Sequence, residues 1–156
     1  MSRPTPLDNR IPPPLAMLLV GAAMWATAWA WPALAFDPPL RLPLAVAIAL
    51  IGVGIEIAAG WTFRRASTTV NPLRPENAAR LVTGGPNRFS RNPMYLSLAL
   101  LLLAWAVSLG HAAAFALWAL FPLFITRFQI LPEERALAAR FGDAYAAYCA
   151  KVRRWL

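Results

Sequence analysis

The chain has 156 residues, which is enough for one domain of ordinary size, and carries a formal net charge of +8. Hydrophobic residues make up 59% of it and charged residues 14%, a balance that excludes an ordinary soluble globule and predicts an integral membrane protein. One cysteine excludes an intramolecular disulfide, and one histidine leaves no Cys/His set for zinc. We therefore expect no metal site, and we expect the arginines to face anionic lipid headgroups rather than nucleic acid.

Four apolar runs are long enough to cross a bilayer, since a spanning helix needs about 17–25 residues. The first run is longer than the apolar core of a cleaved signal peptide and is followed by further spans, so we expect it to be retained. No run shows period-2 alternation, which excludes the strands of a membrane barrel. The expected fold is all-α and polytopic, a single domain over residues 1–156 with transmembrane helices at about 15–36, 40–63, 93–109 and 111–130.

Lysine and arginine are distributed unevenly around these spans. Most of them lie before the first span, between the second and third, or after the fourth, and Arg41 alone falls on the opposite side. The positive-inside tendency then places both termini and the central loop, residues 64–92, in the cytoplasm. The loop combines Pro and Gly turn signals with an apolar segment at 78–82, so we expect it to be ordered. The high alanine, arginine and proline content suggests a bacterial inner membrane.

The sequence after Pro132 predicts a C-terminal amphipathic helix over residues 132–156. Apolar and aromatic side chains recur there every three or four residues, and most charged side chains fall on another face. Such a helix would lie on the membrane interface or pack back over the central loop. A helix beginning at Pro132 would stabilise Glu133 and Glu134 through its dipole and free N–H groups. At the mouth of the bundle, the same carboxylates could instead receive ribose hydroxyls or an ammonium group.

Two further polar features adjoin the apolar runs. Glu56 lies inside the second span, where an unpaired carboxylate costs about 2.5–3.5 kcal/mol, so we expect it to contact a ligand headgroup, an arginine such as Arg64 or Arg65, or backbone donors. The stretch RNPMYL at residues 91–96 begins the third span. Its Asn92 could cap that helix, with Arg91 on lipid phosphate and Tyr95 in an aromatic belt.

Taken together, an amide, a phenol and two carboxylates at one aqueous face could also hydrogen-bond a polar, nucleoside-sized molecule. The order LVTGGPNRFSRNPMYL, a helical hairpin and PEERALAARFGDAYAAYCAKVRRWL resembles the membrane methyltransferases of the isoprenylcysteine carboxyl methyltransferase and phospholipid methyltransferase superfamily. The resemblance covers residues 69–156. In that superfamily these segments build a pocket for S-adenosylmethionine. The resemblance therefore implies this cofactor here, with a membrane lipid or lipidated small molecule as methyl acceptor.

The same resemblance assigns roles to individual residues. Asn92 stands where the prenylcysteine enzymes have histidine, and Asn87 stands at a position that is often aromatic. Arg127 matches an arginine near the substrate, so we predict it to be catalytic and substrate-binding; Glu133 is also predicted to be catalytic, and we place Glu56 with the substrate. The residues implied to bind the cofactor are Leu81, Val82, Asn87, Asn92, Pro93, Tyr95, Glu133 and Glu134.

Methyl transfer from a sulfonium requires mainly alignment of donor and acceptor and exclusion of water. That chemistry suits a chain without metal-ligand clusters, a hydrolase triad or a G-x-G-x-x-G motif after a strand. An amine acceptor would have to lose a proton, whereas a carboxylate acceptor would need a cation such as Arg127 to orient it. Both acceptors remain open, as do a nicotinamide-dependent reductase of the same superfamily shape and a non-catalytic membrane protein.

Overall fold

The computed structural model describes residues 8–66 and 80–156, and within these ranges the regular secondary structure consists of helices. A single isolated bridge joins Ala35 to His111. The all-α, polytopic fold class is therefore confirmed. The α-helices of the described ranges are α1 (Pro13–Ala30), α2 (Arg41–Arg65), α3 (Pro93–Leu109), α4 (Ala112–Ile125) and α5 (Leu131–Lys151), with 3₁₀ turns at Pro32–Leu34 and Gly85–Arg88 and a π-helical turn at Thr126–Ile130.

The helices begin and end where local chemistry favours it. Pro13 and Pro93 occupy first helical positions, where the missing N–H costs nothing and the fixed φ suits a helix. α3 ends at Gly110, which adopts a left-handed φ of 56°. A side chain there would overlap the Phe36 carbonyl oxygen, so the tight connection between α3 and α4 requires glycine. α1 stops at Ala30, earlier than the predicted span, because Trp31 and Pro32 turn the chain into a 3₁₀ turn.

Three of the helices are long and apolar enough to cross a membrane, and α3 is a shorter apolar helix of 17 residues. The third long helix, from Ala112 to Lys151, runs from α4 through the π turn into α5 without a break at Pro132, and it is kinked further on, at Gly142. The prediction that a separate helix begins at Pro132 is therefore wrong. α5 is rich in charged residues, so we treat residues 112–130 as the membrane-spanning part and α5 as lying outside the hydrocarbon.

The bundle core lies between α1, α3 and α4, and α2 packs on the outside of α3. Met24, Phe121 and Ile125 are fully buried in this core. α2 approaches α3 closely at Gly52, where an added Cβ would lie 3.2 Å from the Ser97 carbonyl oxygen and 3.3 Å from Leu100 Cβ. The outer faces of α1 and α2 expose many large apolar side chains, which is the surface that a lipid-embedded bundle requires.

The C-terminal region packs back over the central loop. Gly142 has φ 51° and ψ −124°, a conformation essentially restricted to glycine, and it divides α5 into two segments with different directions. The Tyr148 hydroxyl on the second segment donates to the Asn87 carbonyl oxygen at 2.7 Å. The predicted helix to residue 156 ends at Lys151, and residues 152–156, here called the tail, are not helical. Of the central loop, residues 67–79 lie outside the described ranges, including part of the apolar segment 78–82.

Candidate active site

The described part of the central loop is seated on the end of α2. Leu81 and Val82 are half-buried and lie in an irregular stretch before the 3₁₀ turn Gly85–Arg88. Gly85 has a φ of 58°, and a side chain there would overlap the Thr62 hydroxyl. A glycine is therefore required both for the backbone conformation and for the close approach to α2. This contact fixes where the turn presents Asn87.

Asn87 is buried, and its two oxygens have different surroundings. The backbone carbonyl accepts the hydrogen bond from Tyr148, whereas the side-chain oxygen Oδ1 is buried without a hydrogen-bond partner in the described structure. A buried acceptor of this kind costs about 1–3 kcal/mol. A hydrogen-bond donor of a ligand would satisfy this acceptor.

The tail lies along the motif that begins α3. The Arg91 N–H donates to the Arg153 carbonyl at 2.9 Å, and the Asn92 side-chain amide donates to the Arg154 carbonyl at 3.0 Å. Trp155 donates from its ring N–H to the Thr126 hydroxyl on the π turn at 3.1 Å. The interpretation of Asn92 as a side-chain helix cap is wrong, because its side chain binds the tail instead of the helix N–H groups.

Glu134 joins the same elements through ion pairs. Its carboxylate receives two hydrogen bonds from Arg154, at 2.9 and 2.8 Å, and one from Arg91 at 2.9 Å. The bidentate geometry is the strong form of this interaction, and the hydrogen bond to Glu134 raises the pKa of Arg154. Glu134 therefore holds the α3 motif and the tail against α5.

Tyr95 and Glu133 form a second pair between α3 and α5. The buried Tyr95 hydroxyl donates a hydrogen bond to Glu133 Oε1. Burial raises the pKa of Glu133 to about 8; the Tyr95 hydrogen bond acts in the opposite direction, and the charge of Glu134 raises the value further. An acid with a pKa near neutrality can hold or release a proton under ordinary conditions, which is typical of functional carboxyl groups.

The predicted helix N-terminus at these two glutamates does not exist, because the π turn carries the helix through Pro132. Ile130 and Leu131 both keep right-handed helical angles. Pro132 cannot donate to the Phe128 carbonyl four residues earlier, and that carbonyl instead accepts the Asn9 N–H at 2.9 Å. The position of Glu133 and Glu134 thus depends on the π turn and their side-chain partners, since no free helix dipole is available.

Arg127 lies on the π turn and pairs with the N-terminal segment. Its guanidinium is 3.5 Å from Asp8 and lies over the ring of Phe128 with 5.3 Å to the centroid. Asp8 also binds Arg135 at 2.6 Å. Asp8 is thus a partner of Arg127 that the sequence did not single out.

Glu56 is separated from this cluster by the width of α3. The Ser97 hydroxyl contacts Glu56 Oε2 and also the Met94 carbonyl oxygen at 2.7 Å. Ser97 follows Tyr95 by two residues, which places them about 200° apart around the helix. Of the partners that the sequence left open for Glu56, the structure gives neither Arg64 nor Arg65 but this hydroxyl, and Arg65 lies over the Trp61 ring at 4.2 Å.

An apolar groove of about 340 Å³ lies between α1 and α3, further along the bundle. Leu101 and Trp105 in its wall are about 9–15 Å along α3 from Tyr95. Trp105 donates its ring N–H to the Gly21 carbonyl at 3.1 Å. The walls of the groove, as far as the described residues show, carry no ionisable side chain.

The structure therefore brings together most of the predicted site and adds members to it. Pro93 is buried at the first position of α3, between Asn92 and Tyr95. The added members are Arg91, Tyr148, Arg154 and Ser90, whose hydroxyl accepts the Asn92 N–H at 3.1 Å. Arg91 lies within the quoted motif and Arg154 within the quoted C-terminal block, so both were open to prediction, whereas nothing in the sequence marked Asp8.

An apolar bundle with lipid-facing outer helices and a cluster of ionisable side chains at one end defines an integral membrane protein with a polar site at its helix ends. The family model for phospholipid methyltransferase matches residues 40–144, well over half of the chain. The protein belongs to this family of membrane methyltransferases, and the family resemblance seen in the sequence is confirmed.

One relative from Haemophilus influenzae, described as an uncharacterized protein, is 52% identical over 63 residues, which is 40% of this chain and 100% of the relative. No solved structure matches the chain.

Proposed function

We propose that the protein transfers a methyl group from S-adenosylmethionine to a membrane amphiphile at the cluster around Tyr95 and Glu133. The observation that carries this proposal is a set of hydrogen bonds that connects the loop, α3 and α5. Tyr148 near the end of α5 binds the loop at Asn87, the tail binds Asn92 before α3, and Tyr95 on α3 binds Glu133 near the beginning of α5. Membership of the methyltransferase family supports the same activity.

The residues present suit a cationic nucleoside. Asn87 Oδ1 is a buried acceptor without a partner in the described structure, and it is suited to a hydroxyl or amino donor. Glu133 becomes anionic above about pH 8 and is suited to an ammonium group or ribose hydroxyls. When bound, S-adenosylmethionine supplies an electrophilic methyl group, and the protein residues bind and orient it and exclude water.

The remaining predicted cofactor residues divide into two groups. Leu81, Val82 and Pro93 supply apolar surface around the loop and the α3 start. Asn92 and Glu134 are bound to the tail and to arginines, so we assign them the role of holding the site together. Glu133 is the residue suited to accept a proton from an amine acceptor, and Arg127 the one suited to orient an anionic group.

Calorimetry of the detergent-solubilised protein with S-adenosylmethionine tests the proposal. We expect saturable binding that Glu133→Gln weakens about 10–100-fold, because a charge-assisted contact is lost. Asp143→Asn is the matched control, since it removes one carboxylate from the exposed surface of α5 and should change affinity by less than about twofold.

Absence of binding to the wild type, or preference for a nicotinamide dinucleotide, would contradict the proposal. Transfer of a radiolabelled methyl group into a total lipid extract then distinguishes an amine headgroup from a carboxylate acceptor.

We also propose that this end of the bundle faces the cytoplasm, in a bacterial inner membrane. The uneven distribution of arginine supports this orientation. A cysteine introduced at the exposed Arg88 should react with an impermeant reagent only after the cytoplasmic side is opened. Labelling of intact cells from outside would reverse the orientation.

A further inference from the structure

The N-terminal segment, residues 8–11, is held across the π turn by two hydrogen bonds. The Asn9 N–H donates to the Phe128 carbonyl at 2.9 Å, and the Gln129 side-chain amide donates to the Ile11 carbonyl at 2.7 Å. The Phe128 carbonyl can accept this bond because Pro132 has no N–H to offer it. The π turn is therefore a docking element for a segment that lies more than a hundred residues earlier in the chain.

This docking brings one carboxylate between two guanidinium groups. Asp8 Oδ2 is 2.6 Å from Arg135, and Asp8 Oδ1 is 3.5 Å from Arg127. The Asp8 side chain is 13% exposed, whereas those of Arg127 and Arg135 are 33% and 27% exposed. A pair of arginines around one planar or tetrahedral oxyanion is the arrangement that proteins use to bind carboxylates and phosphates. The arginines remain open enough to solvent for another anion to reach them.

The arginine pair lies at a similar level of the helix to the proposed site of methyl transfer, on a different face. Arg135 follows Glu133 by two residues, which places their side chains about 200° apart around α5, and Arg127 lies on the π turn at the end of the membrane-spanning part of the helix. Ile11 packs against the core cluster that contains Tyr95 and Ile130. An amphiphile with its chain in the bilayer would present its polar group at this level.

We propose that Arg127 and Arg135 form the binding site for the anionic oxygen group of the acceptor amphiphile, a phosphate or a carboxylate on an acyl chain, and that Asp8 occupies this site until the acceptor displaces it. The proposal rests on the proposed function for the identity of the ligand as methyl acceptor. The anion site itself rests on the contacts of Asp8. Displacement allows Asp8 and the acceptor to use the same two partly exposed arginines in turn.

The test uses calorimetry to measure the binding of dodecyl phosphate to the protein in a neutral detergent. Asp8→Asn keeps the shape of the side chain and removes the competing charge, so we expect the affinity for dodecyl phosphate to rise about 5–20-fold. Adding Arg135→Gln to Asp8→Asn should remove that gain, because one of the two guanidinium groups is lost. Dodecanoate in place of dodecyl phosphate shows whether a carboxylate is bound as well as a phosphate.

Two controls make the result decisive. Asp143→Asn changes the net charge equally on the exposed face of α5, and its affinity for dodecyl phosphate should stay within about twofold of the wild type. Dodecyltrimethylammonium has the same chain with a positive headgroup, and Asp8→Asn should not improve its binding. An equal gain in Asp8→Asn and Asp143→Asn, or no gain in either, would overturn the anion site.

The same preparations separate this proposal from the proposed function. If S-adenosylmethionine binds the wild type and Asp8→Asn equally well but dodecyl phosphate binding does not improve in the variant, the anion site fails and the proposed function stands. If S-adenosylmethionine does not bind, the proposed function fails, while a selective gain in dodecyl phosphate binding still supports the anion site. A thermal midpoint for each variant identifies any loss of folding, and a folded Asp8→Asn protein without the gain counts against the proposal.

Discussion

α3 makes two hydroxyl–carboxylate pairs only two residues apart, and their surroundings give them different roles. Tyr95 donates to Glu133 on the side of the polar cluster, and Ser97 contacts Glu56 on the side of α2. Glu133 is adjacent to Glu134 with its two arginines, whereas Glu56 lies within a spanning helix beside the close contact at Gly52. The same pair of functional groups thus adjoins the proposed ligand site on one face of α3 and the packing contact with α2 on the other.

The largest expected difference between the pairs is in cofactor binding. Tyr95→Phe removes the hydrogen bond to Glu133 and should weaken S-adenosylmethionine binding about 10–100-fold, the effect of losing a bond to a charged group. Ser97→Ala should leave cofactor affinity within about twofold, while it lowers stability by about 1–3 kcal/mol because Glu56 loses its hydroxyl partner. Calorimetry and thermal midpoints measure both effects. Equal loss of affinity in both variants would mean that the faces are not separate.

The close packing of α2 on α3 beside the Ser97–Glu56 pair provides the next test. Gly52→Ala places a methyl group against the Ser97 carbonyl and Leu100, and we expect it to destabilise the protein by about 1–3 kcal/mol. The matched control is Gly54→Ala on the same helix, where an added Cβ meets nothing within 4 Å; it should be neutral or slightly stabilising. Denaturation in detergent, followed by the loss of tryptophan fluorescence, compares the two. Equal destabilisation would show that helix propensity dominates and the close contact contributes little.

The smallest expected effect is the pH dependence of S-adenosylmethionine binding, which tests the role of the Tyr95–Glu133 pair. Burial raises the pKa of Glu133 to about 8, and a cationic ligand favours the ionised form. The affinity for S-adenosylmethionine should therefore rise about 3–10-fold between about pH 6.5 and pH 9.

Glu133→Gln should not show this rise, and the titration of the ligand's own ammonium group is common to both proteins. The free energy of unfolding depends on pH in the opposite direction. The stability that Glu133 contributes is fully present below its ordinary pKa of 4.5 and is lost as the pH rises through the folded-state pKa of about 8. A pH profile identical in both proteins would remove Glu133 from the binding site.

Much of the membrane architecture could be predicted from the sequence because length and apolarity decide it. α3 has the bounds that the sequence predicted, since Pro93 starts it and Gly110 ends it by their own backbone preferences. Pro132, in contrast, does not mark a helix boundary. A proline ordinarily marks a helix boundary, but a π turn accommodates it here, and that turn is stabilised by partners from the distant N-terminal segment.

The members of the site could be predicted from motifs, but not their partners. Glu134 binds Arg154, which lies twenty residues further along the chain, because Gly142 and the tail reverse the chain direction. Ser97 looks like an ordinary small residue of a membrane helix, and only the packing of α2 brings Glu56 to it. Asn92 resembles a helix cap in every local respect, yet its side-chain amide donates to the tail carbonyl of Arg154, a partner that no local pattern reveals.

The π turn also determines the direction in which the side chains of α5 point around the helix axis. One residue more than an α-helix would use rotates the downstream side chains by about 100°. Glu133 meets Tyr95, and Arg135 meets Asp8, because Thr126–Ile130 contains that additional residue. Deleting one residue from the turn would leave the sequence of α5 unchanged, yet it would point the carboxylates and guanidinium groups of α5 away from their present partners.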